Sequence, residues 1–235
     1  VLRLKNSKMP LLILILVSVI AIASYLKYAR QSVETLGLST ASKTIIIDPG
    51  HGGFDPGKKG INGADEKDIN LKISLKLRDY LEQSGAVVIM TRSTDNDADG
   101  MDGVKHKRKD MAERKKIAEG GDILVSIHQN SFTQPSVKGA QTFYHKESEQ
   151  GKRLAHLIQK NIKEYADKEN KREEKSNDNY YVLKTTQLPA VIVECGFLTN
   201  AEEERKLNAE EYQNIMAWSI YLGIVKYFES EAPIS

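Results

Sequence analysis

The sequence predicts an α/β fold: a single mixed, mostly parallel sheet with helices on both faces. Three observations predict it. Short β-branched runs, "KTIIID", "DILVSI" and "AVIVE", read as strands buried in a sheet. The segments between them carry apolar residues at helical spacing. Strands alternating with helices are the pattern of a sheet covered on both sides.

The elements follow in order. "PLLILILVSVIAIASYL", Pro10 to Leu26, is apolar and free of charge, with Lys5 and Lys8 before it and Lys27 and Arg30 after it. A bilayer takes ~20 such residues as a helix, so residues 1–30 read as a signal peptide or a membrane anchor. Ala21-Ile22-Ala23 fits a small-residue cleavage site. Either reading exports the rest of the chain. Residues 31–43 are polar and small, and read as a linker.

The main domain, 44–229, opens on the strand "TIIID". Glu66 to Gln83 reads as a helix: Ile69, Ile73, Leu77 and Leu81 recur every fourth residue, and Gly85 stops it. "AVVIMT" is the next strand. Thr94 to Gly103 is an Asp/Gly-rich loop without the spacing of an EF-hand, so it reads as solvated. Lys105 to Glu119 is a charged helix, and "DILVSI" a strand ending at His128. "GAQTFYH" is a fourth strand, followed by a helix with Leu154, Leu157, Ile158, Ile162 and Tyr165 on one face. Lys168 to Asn179 is a charged, solvated run. "AVIVE" ends at Glu194, and a last helix carries Tyr212, Ile215, Met216, Ile220, Ile224 and Tyr227. Residues 230–235 form a tail.

Composition excludes several classes. Lys and Arg total 34 against 32 Asp and Glu, too even a balance to argue for nucleic acid. One cysteine excludes an internal disulfide framework and a multi-Cys zinc site.

Chemistry concentrates at strand ends. His51 follows the first strand in "IIIDPGHGG", His128 ends the third, and Glu194 ends the fifth. Sheets of this class bind ligands beyond the carboxyl ends of their strands. Two histidines and a carboxylate suit zinc, with a fourth position kept for water. Glu66 is the best placed carboxylate, since it shares a helix face with Ile69, Asn70 and Ile73 and points inward. Spacing alone does not choose between Glu66, Asp65 and Asp68. Cys195 should face the opposite side of its strand from Glu194, which makes it an inert core thiol. The alternative, a cysteine-dependent hydrolase built on Cys195 and His128, stays open at this stage. Arg92 and Arg114 read as candidates for holding carboxylates of a substrate, or as members of internal salt bridges such as Arg92 with Asp95. Asn130 reads as a support for His128. His106, His145 and His156 read as surface residues.

Six segments, in order, resemble the zinc-dependent N-acetylmuramoyl-L-alanine amidases of the Amidase_3 type: "IIIDPGHGGFDPG", "EKDINLKISLKLRDYL", "VVIMTRSTD", "DILVSIHQNS", "GAQTFYH" and "LPAVIVECGFLTNAEEE". The resemblance implies a phosphorylase/hydrolase-like sheet with Zn2+ held by His51, Glu66 and His128, and Glu194 as the catalytic acid/base. It implies cleavage of the amide between N-acetylmuramic acid and L-alanine of the peptidoglycan stem peptide. It also gives Asp-Pro-Gly the task of turning His51 out of the strand, and Gly52 and Gly53 the task of leaving room for substrate. The compact plan is similar to the germination-specific amidases of spore formers (CwlD-type). That implies a role in spore cortex, where stem-peptide removal precedes muramic-δ-lactam formation, and a location in the intermembrane space of the forespore. A general cell-wall amidase and a non-catalytic peptidoglycan-binding domain are the alternatives. Two ligands come from a turn and a helix start, so the site is one that an activating protein partner could order.

Overall fold

The computed structural model describes residues 13–25, 39–95 and 107–230. Two compact units are present, 1–38 and 39–235. In the first, residues 13–25 form a helix with exposed apolar side chains. The rest of the expected signal or anchor, and most of the linker, lie outside the described residues. So do residues 96–106 of the Asp/Gly-rich loop, His106 with them, and 231–235 of the tail. Among the described residues, no helix is long and apolar enough to cross a membrane.

The second unit is built on six strands: β1 (Thr44–Pro49), β2 (Val87–Met90), β3 (Ile123–Asn130), β4 (Gln141–Tyr144), β5 (Lys175–Ser176) and β6 (Ala190–Phe197). Their order across the sheet is β2-β1-β3-β6-β4-β5. β2, β1, β3 and β6 are mutually parallel, β4 runs antiparallel to β6, and β5 is parallel to β4. The sheet is thus mixed and mostly parallel, as the alternating pattern predicts. After β1 the chain steps outward to β2, then crosses back to β3 on the other side of β1. That reversal opens a crevice at the carboxyl ends of β1 and β3.

Strand parity divides the sheet into two unlike faces. Ile45, Ile47, Ile123, Val125, Ile127, Val191, Val193 and Cys195 face the larger core. Helices α1 (Glu66–Gln83), α3 (Glu149–Asn161) and α6 (Glu210–Glu229) close that core. The other face holds a small cluster, Ile46, Leu124, Phe143, Leu183, Ala190 and Ile192. Helices α2 (Lys107–Ala118) and α4 (Tyr181–Thr185) lie on that side, in contact with β1 and β6 respectively. Toward the carboxyl ends this second face turns polar, with Asp48, Ser126, His128 and Glu194 at the even-numbered positions.

Several elements differ from the sequence expectation. The strands expected to end at His128 and Glu194 continue to Asn130 and Phe197. The helix through Tyr165 is α-helical only to Asn161, and Ile162–Ala166 widens into a π turn that leaves Tyr165 exposed. A separate helix, α5 (Ala201–Asn208), precedes α6. Asn200 starts it by accepting from the N–H groups of Glu202 and Glu203.

Helix α6 crosses α3 at Gly223. A β-carbon there would lie 2.6 Å from Ile158 Cα and 2.9 Å from its N. In an open helix, Gly→Ala is worth ~1 kcal/mol of stability. Here the neighbour is backbone and cannot swing aside, so overpacking wins. Gly223→Ala is expected to destabilise the domain by about 1–3 kcal/mol, measured by urea unfolding. An unchanged or raised midpoint would disprove the close crossing.

Candidate metal centre

The site begins at the turn after β1. Gly50 donates to Ile127 O (3.0 Å), holding the turn against β3. A β-carbon on Gly50 would fall 2.2 Å from the His128 ring, so only glycine lets the backbone pass it. His51 adopts φ 62°, a left-handed conformation that histidine tolerates better than most residues. Two arginines pin this turn. Arg114 donates to Asp48 Oδ1 (2.6 Å), Pro49 O (2.9 Å) and His51 O (2.7 Å). Arg92 donates to Pro49 O, Gly50 O, Thr94 O and Lys67 O.

Both guanidinium groups are therefore buried and turned inward, at 5% exposed for Arg92 and 8% for Arg114. The structure gives both of them partners within the protein, the internal pairing that the sequence left open beside substrate contacts. Of the salt-bridge candidates, Arg114 pairs with Asp48, and Asp95 pairs with Lys67 at 2.7 Å. Asn130 Oδ1 accepts from Ser131 N. Its neighbour Gln129 supports the site at this point of β3. Its N–H donates to Glu66 Oε1 (3.1 Å) and its amide to Asn70 Oδ1 (3.0 Å), while Asn70 donates to Gly50 O (3.0 Å). Gly52 and Gly53 take positive φ in the turn. Close approaches occur at Gly50 and at Gly57, where a β-carbon would meet Glu66 Oε2 at 2.6 Å and the His51 ring at 2.7 Å.

Three groups converge at the crevice. Glu66 Oε1 lies 3.3 Å from His51 Nε2 and 3.0 Å from His128 Nδ1, and the two rings meet edge to face at 5.0 Å. These ligand-type atoms all lie within 4.8 Å of one another, so His51, Glu66 and His128 could hold a metal ion. A tetrahedral zinc site with bonds of about 2.0–2.1 Å separates its donors by about 3.3 Å, and the two donor separations here fit. Two imidazoles and one carboxylate are also a donor set that zinc accepts. Asp65 and Asp68, open as alternatives in the sequence, are not in the cluster. Asp55 Oδ2 sits 3.0 Å from His51 Nδ1, leaving Nε2 for the cluster.

The electrostatics favour positive charge. Burial opposes the Glu66 carboxylate, yet bonds with His128 and His51 hold it well below the usual range. Burial likewise opposes a charged His51, yet Glu66 and Asp55 raise its pKa.

Glu194 lies beside His128 in the β3/β6 register and is 6% exposed. Its Oε1 accepts from the Tyr180 hydroxyl at 3.0 Å, while Oε2 is buried without a hydrogen-bond partner among the described residues. Burial raises its pKa, with Glu66 adding to the shift and His128 opposing it. Cys195 faces the larger core and is fully buried, which pushes its thiol far up. An un-ionised thiol on the far side of the sheet removes the cysteine-nucleophile alternative.

Further residues were not singled out in the sequence. Glu204 accepts from Asn62 N, Asn62 Nδ2 and Ala64 N, and so holds the loop that leads into Glu66. Glu203 accepts from Gly139 N and Phe197 N. Tyr180 stands just after the charged run. Runs of acidic residues usually mark solvated faces, and that hid the glutamates. His145 and His156 pair with Asp178 and Glu174 outside the cluster.

The family model described as N-acetylmuramoyl-L-alanine amidase matches residues 45–226. The chain is similar to the germination-specific N-acetylmuramoyl-L-alanine amidase of Bacillus subtilis, at 34% identity over 85% of each protein. It is also similar to the CwlD amidase of Clostridioides difficile, solved in complex with the GerS lipoprotein. That match has 43% identity and a TM-score of 0.73, over 79% of this chain and 98% of the other. The amidase AmiC2 of Nostoc punctiforme matches at 34% identity and TM-score 0.69, over 79% and 96%.

The Asp48–Arg114 pair yields a pH prediction. Burial works against the Asp48 carboxylate, but Arg114, Ser126 and Thr91 outweigh it and bring its pKa down to about 2. A depressed carboxylate stabilises the fold above its unfolded value, and that stability is lost as pH falls through the folded one. About 2 kcal/mol should therefore disappear between pH 4 and pH 2. Urea midpoints across that range should show less of this slope in Asp48→Asn, which should also lose about 3 kcal/mol at pH 7 by stranding Arg114. An Asp48→Asn variant as stable as wild type at pH 7 would refute the role of the pair.

Proposed function

This chain belongs to the N-acetylmuramoyl-L-alanine amidase family, and from that membership we propose that His51, Glu66 and His128 bind zinc and that Glu194 is the catalytic acid/base. The observation that carries the reading is the cluster of two imidazoles and a carboxylate beside a buried glutamate with one unpartnered oxygen. Zinc, when bound, would supply an acidified water and polarise the scissile carbonyl. The protein residues do the rest. Asp55 keeps the His51 ring turned so that Nε2 faces the cluster. Lys58 N and Gln129 N hold the Glu66 carboxylate in place. Glu194 Oε2, buried and with a raised pKa, takes the proton from the attacking water. It returns that proton to the leaving amine.

The substrate is peptidoglycan, cut between the lactyl group of N-acetylmuramic acid and L-alanine of the stem peptide. We assign it to spore cortex, where the product would lead to muramic-δ-lactam. The germination-specific and CwlD relatives support this. A general wall amidase is the competing reading, supported by the likeness to LytC of Bacillus subtilis, at 33% identity over 36% of that longer protein. The apolar run through residues 13–25 supports export, so that the chain acts outside the cytoplasm, secreted or membrane-anchored. A protein partner that orders the site is part of the proposal, in keeping with the GerS complex of the CwlD relative.

Two measurements test this. The first is release of peptides beginning with L-alanine, followed by mass spectrometry, from cortex and from vegetative peptidoglycan. Wild type with zinc should release them, preferentially from cortex, and a chelator should stop it. Glu194→Gln should lower the rate by at least ~100-fold. Activity that survives both the chelator and the variant would sink the mechanism. Equal rates on both walls would favour the general amidase. The second is zinc affinity by chelator competition. Asp55→Ala should bind zinc ~10–100-fold more weakly, and unchanged affinity would remove Asp55 from the site.

A further inference from the structure

Glu194 has two oxygens in different circumstances, and one tyrosine makes the difference. Tyr180 precedes α4 with an extended backbone, and its carbonyl accepts from Lys184 N. Its ring packs edge to face on Phe143 of β4, 5.6 Å between centroids. Thus placed, its hydroxyl donates to Glu194 Oε1 at 3.0 Å. Burial and the neighbouring carboxylates push the phenol far above its usual pKa. It keeps its proton, and the direction of the bond does not change. Among the described residues, the other oxygen, Oε2, has no hydrogen-bond partner.

We propose that Tyr180 is a positioning residue that selects Oε2 as the oxygen of Glu194 that takes and returns the proton. The inference rests on the reading of Glu194 as the acid/base. As the water oxygen bonds to the carbonyl carbon, its proton passes to Oε2. As the carbon–nitrogen bond breaks, the same proton passes from Oε2 to the leaving nitrogen. Tyr180 keeps its own proton throughout, and its bond to Oε1 stops the carboxyl group from rotating. Without the hydroxyl, Glu194 could turn, or take the proton on Oε1, where it cannot be delivered. The titratable groups facing Glu194 include His128 on β3, Glu66 on α1 and His51 on the β1 turn. Among the described residues, the hydrogen bond to Oε1 comes from Tyr180.

The test compares Tyr180→Phe with Glu194→Gln in zinc-loaded full-length protein, assayed for peptide release. Phenylalanine keeps the contact with Phe143, so melting temperature and zinc content should stay near wild type. The expected result is a ~10-fold fall in kcat with KM within twofold, a fraction of the ~100-fold or greater loss in Glu194→Gln. The acid limb of the kcat profile should rise, because a bond favouring the charged carboxylate has gone. Replacing Tyr180 by 3,5-difluorotyrosine, a stronger donor of nearly the same shape, should move that limb the opposite way. A merely structural tyrosine would not produce opposite shifts. A Tyr180→Phe enzyme with wild-type kcat and an unmoved limb would overturn the inference, as would a loss confined to KM. A fully active Glu194→Gln would instead overturn the parent reading. If Tyr180→Phe melts far below wild type, the difluorotyrosine shift alone decides.

Discussion

The structure depends on one buried carboxylate being satisfied. Glu66 is 3% exposed, and an isolated charge at that depth would cost more than the domain could spare. Its oxygens are met by His51 Nε2, His128 Nδ1, Gln129 N and Lys58 N. Those four groups come from the β1 turn, from two neighbouring positions of β3, and from the loop entering α1. Each partner is held in turn: Gln129 by Asn70, the loop by Glu204, and the His51 turn by Arg92 and Arg114. Moving any one of them takes a partner from a buried carboxylate, so the interactions that stabilise the cluster also hold its geometry.

Topology explains why the cluster forms where it does. The chain leaves β1 in one direction for β2 and returns to β3 on the other side. The helices that follow β1 and β2 therefore diverge, and the carboxyl ends of β1 and β3 open between them. His51 and His128 stand at those two ends, and the start of α1 leans over them with Glu66. Parity then puts Glu194 on the same side of the sheet as His128 and turns Cys195 into the core. The two residues are adjacent in sequence, but a strand's period of two gives them unrelated environments.

That part of the site was legible in the sequence because it rests on short-range rules. A β-branched run ending in a titratable residue is visible, and so is the inward side of a helix that repeats every fourth residue. Arg92 and Arg114 show where legibility stops. A sequence records that an arginine carries charge, but not whether the guanidinium meets solvent or four backbone carbonyls. Tyr180 and the Glu203–Glu204 pair were hidden for a related reason. Their partners lie far away in sequence, at Glu194, Gly139 and Asn62, and nothing in the local pattern of a charged run marks a residue that folds inward. Helix α5 was lost the same way, since its buried face consists of two glutamates and one leucine.

Glu66 and Glu194 together show how one residue type fills two offices in one crevice. Both are buried glutamates, yet their pKa values move in opposite directions. Glu66 has four partners that favour its charge, so it stays a carboxylate and suits a permanent cation. Among the described residues, Glu194 has one neutral donor on one oxygen and none on the other, so burial dominates and its proton affinity rises. A group that must gain and lose a proton during each turnover needs that imbalance. On the proposed reading of Glu194 as the acid/base, a second donor on Oε2 would stabilise the protein and lower the proton affinity that the chemistry uses. On that reading, the hydrogen bond missing among the described residues is a cost to folding that the function requires, and the fully bonded Glu66 keeps the rest of the site in place while that cost is carried.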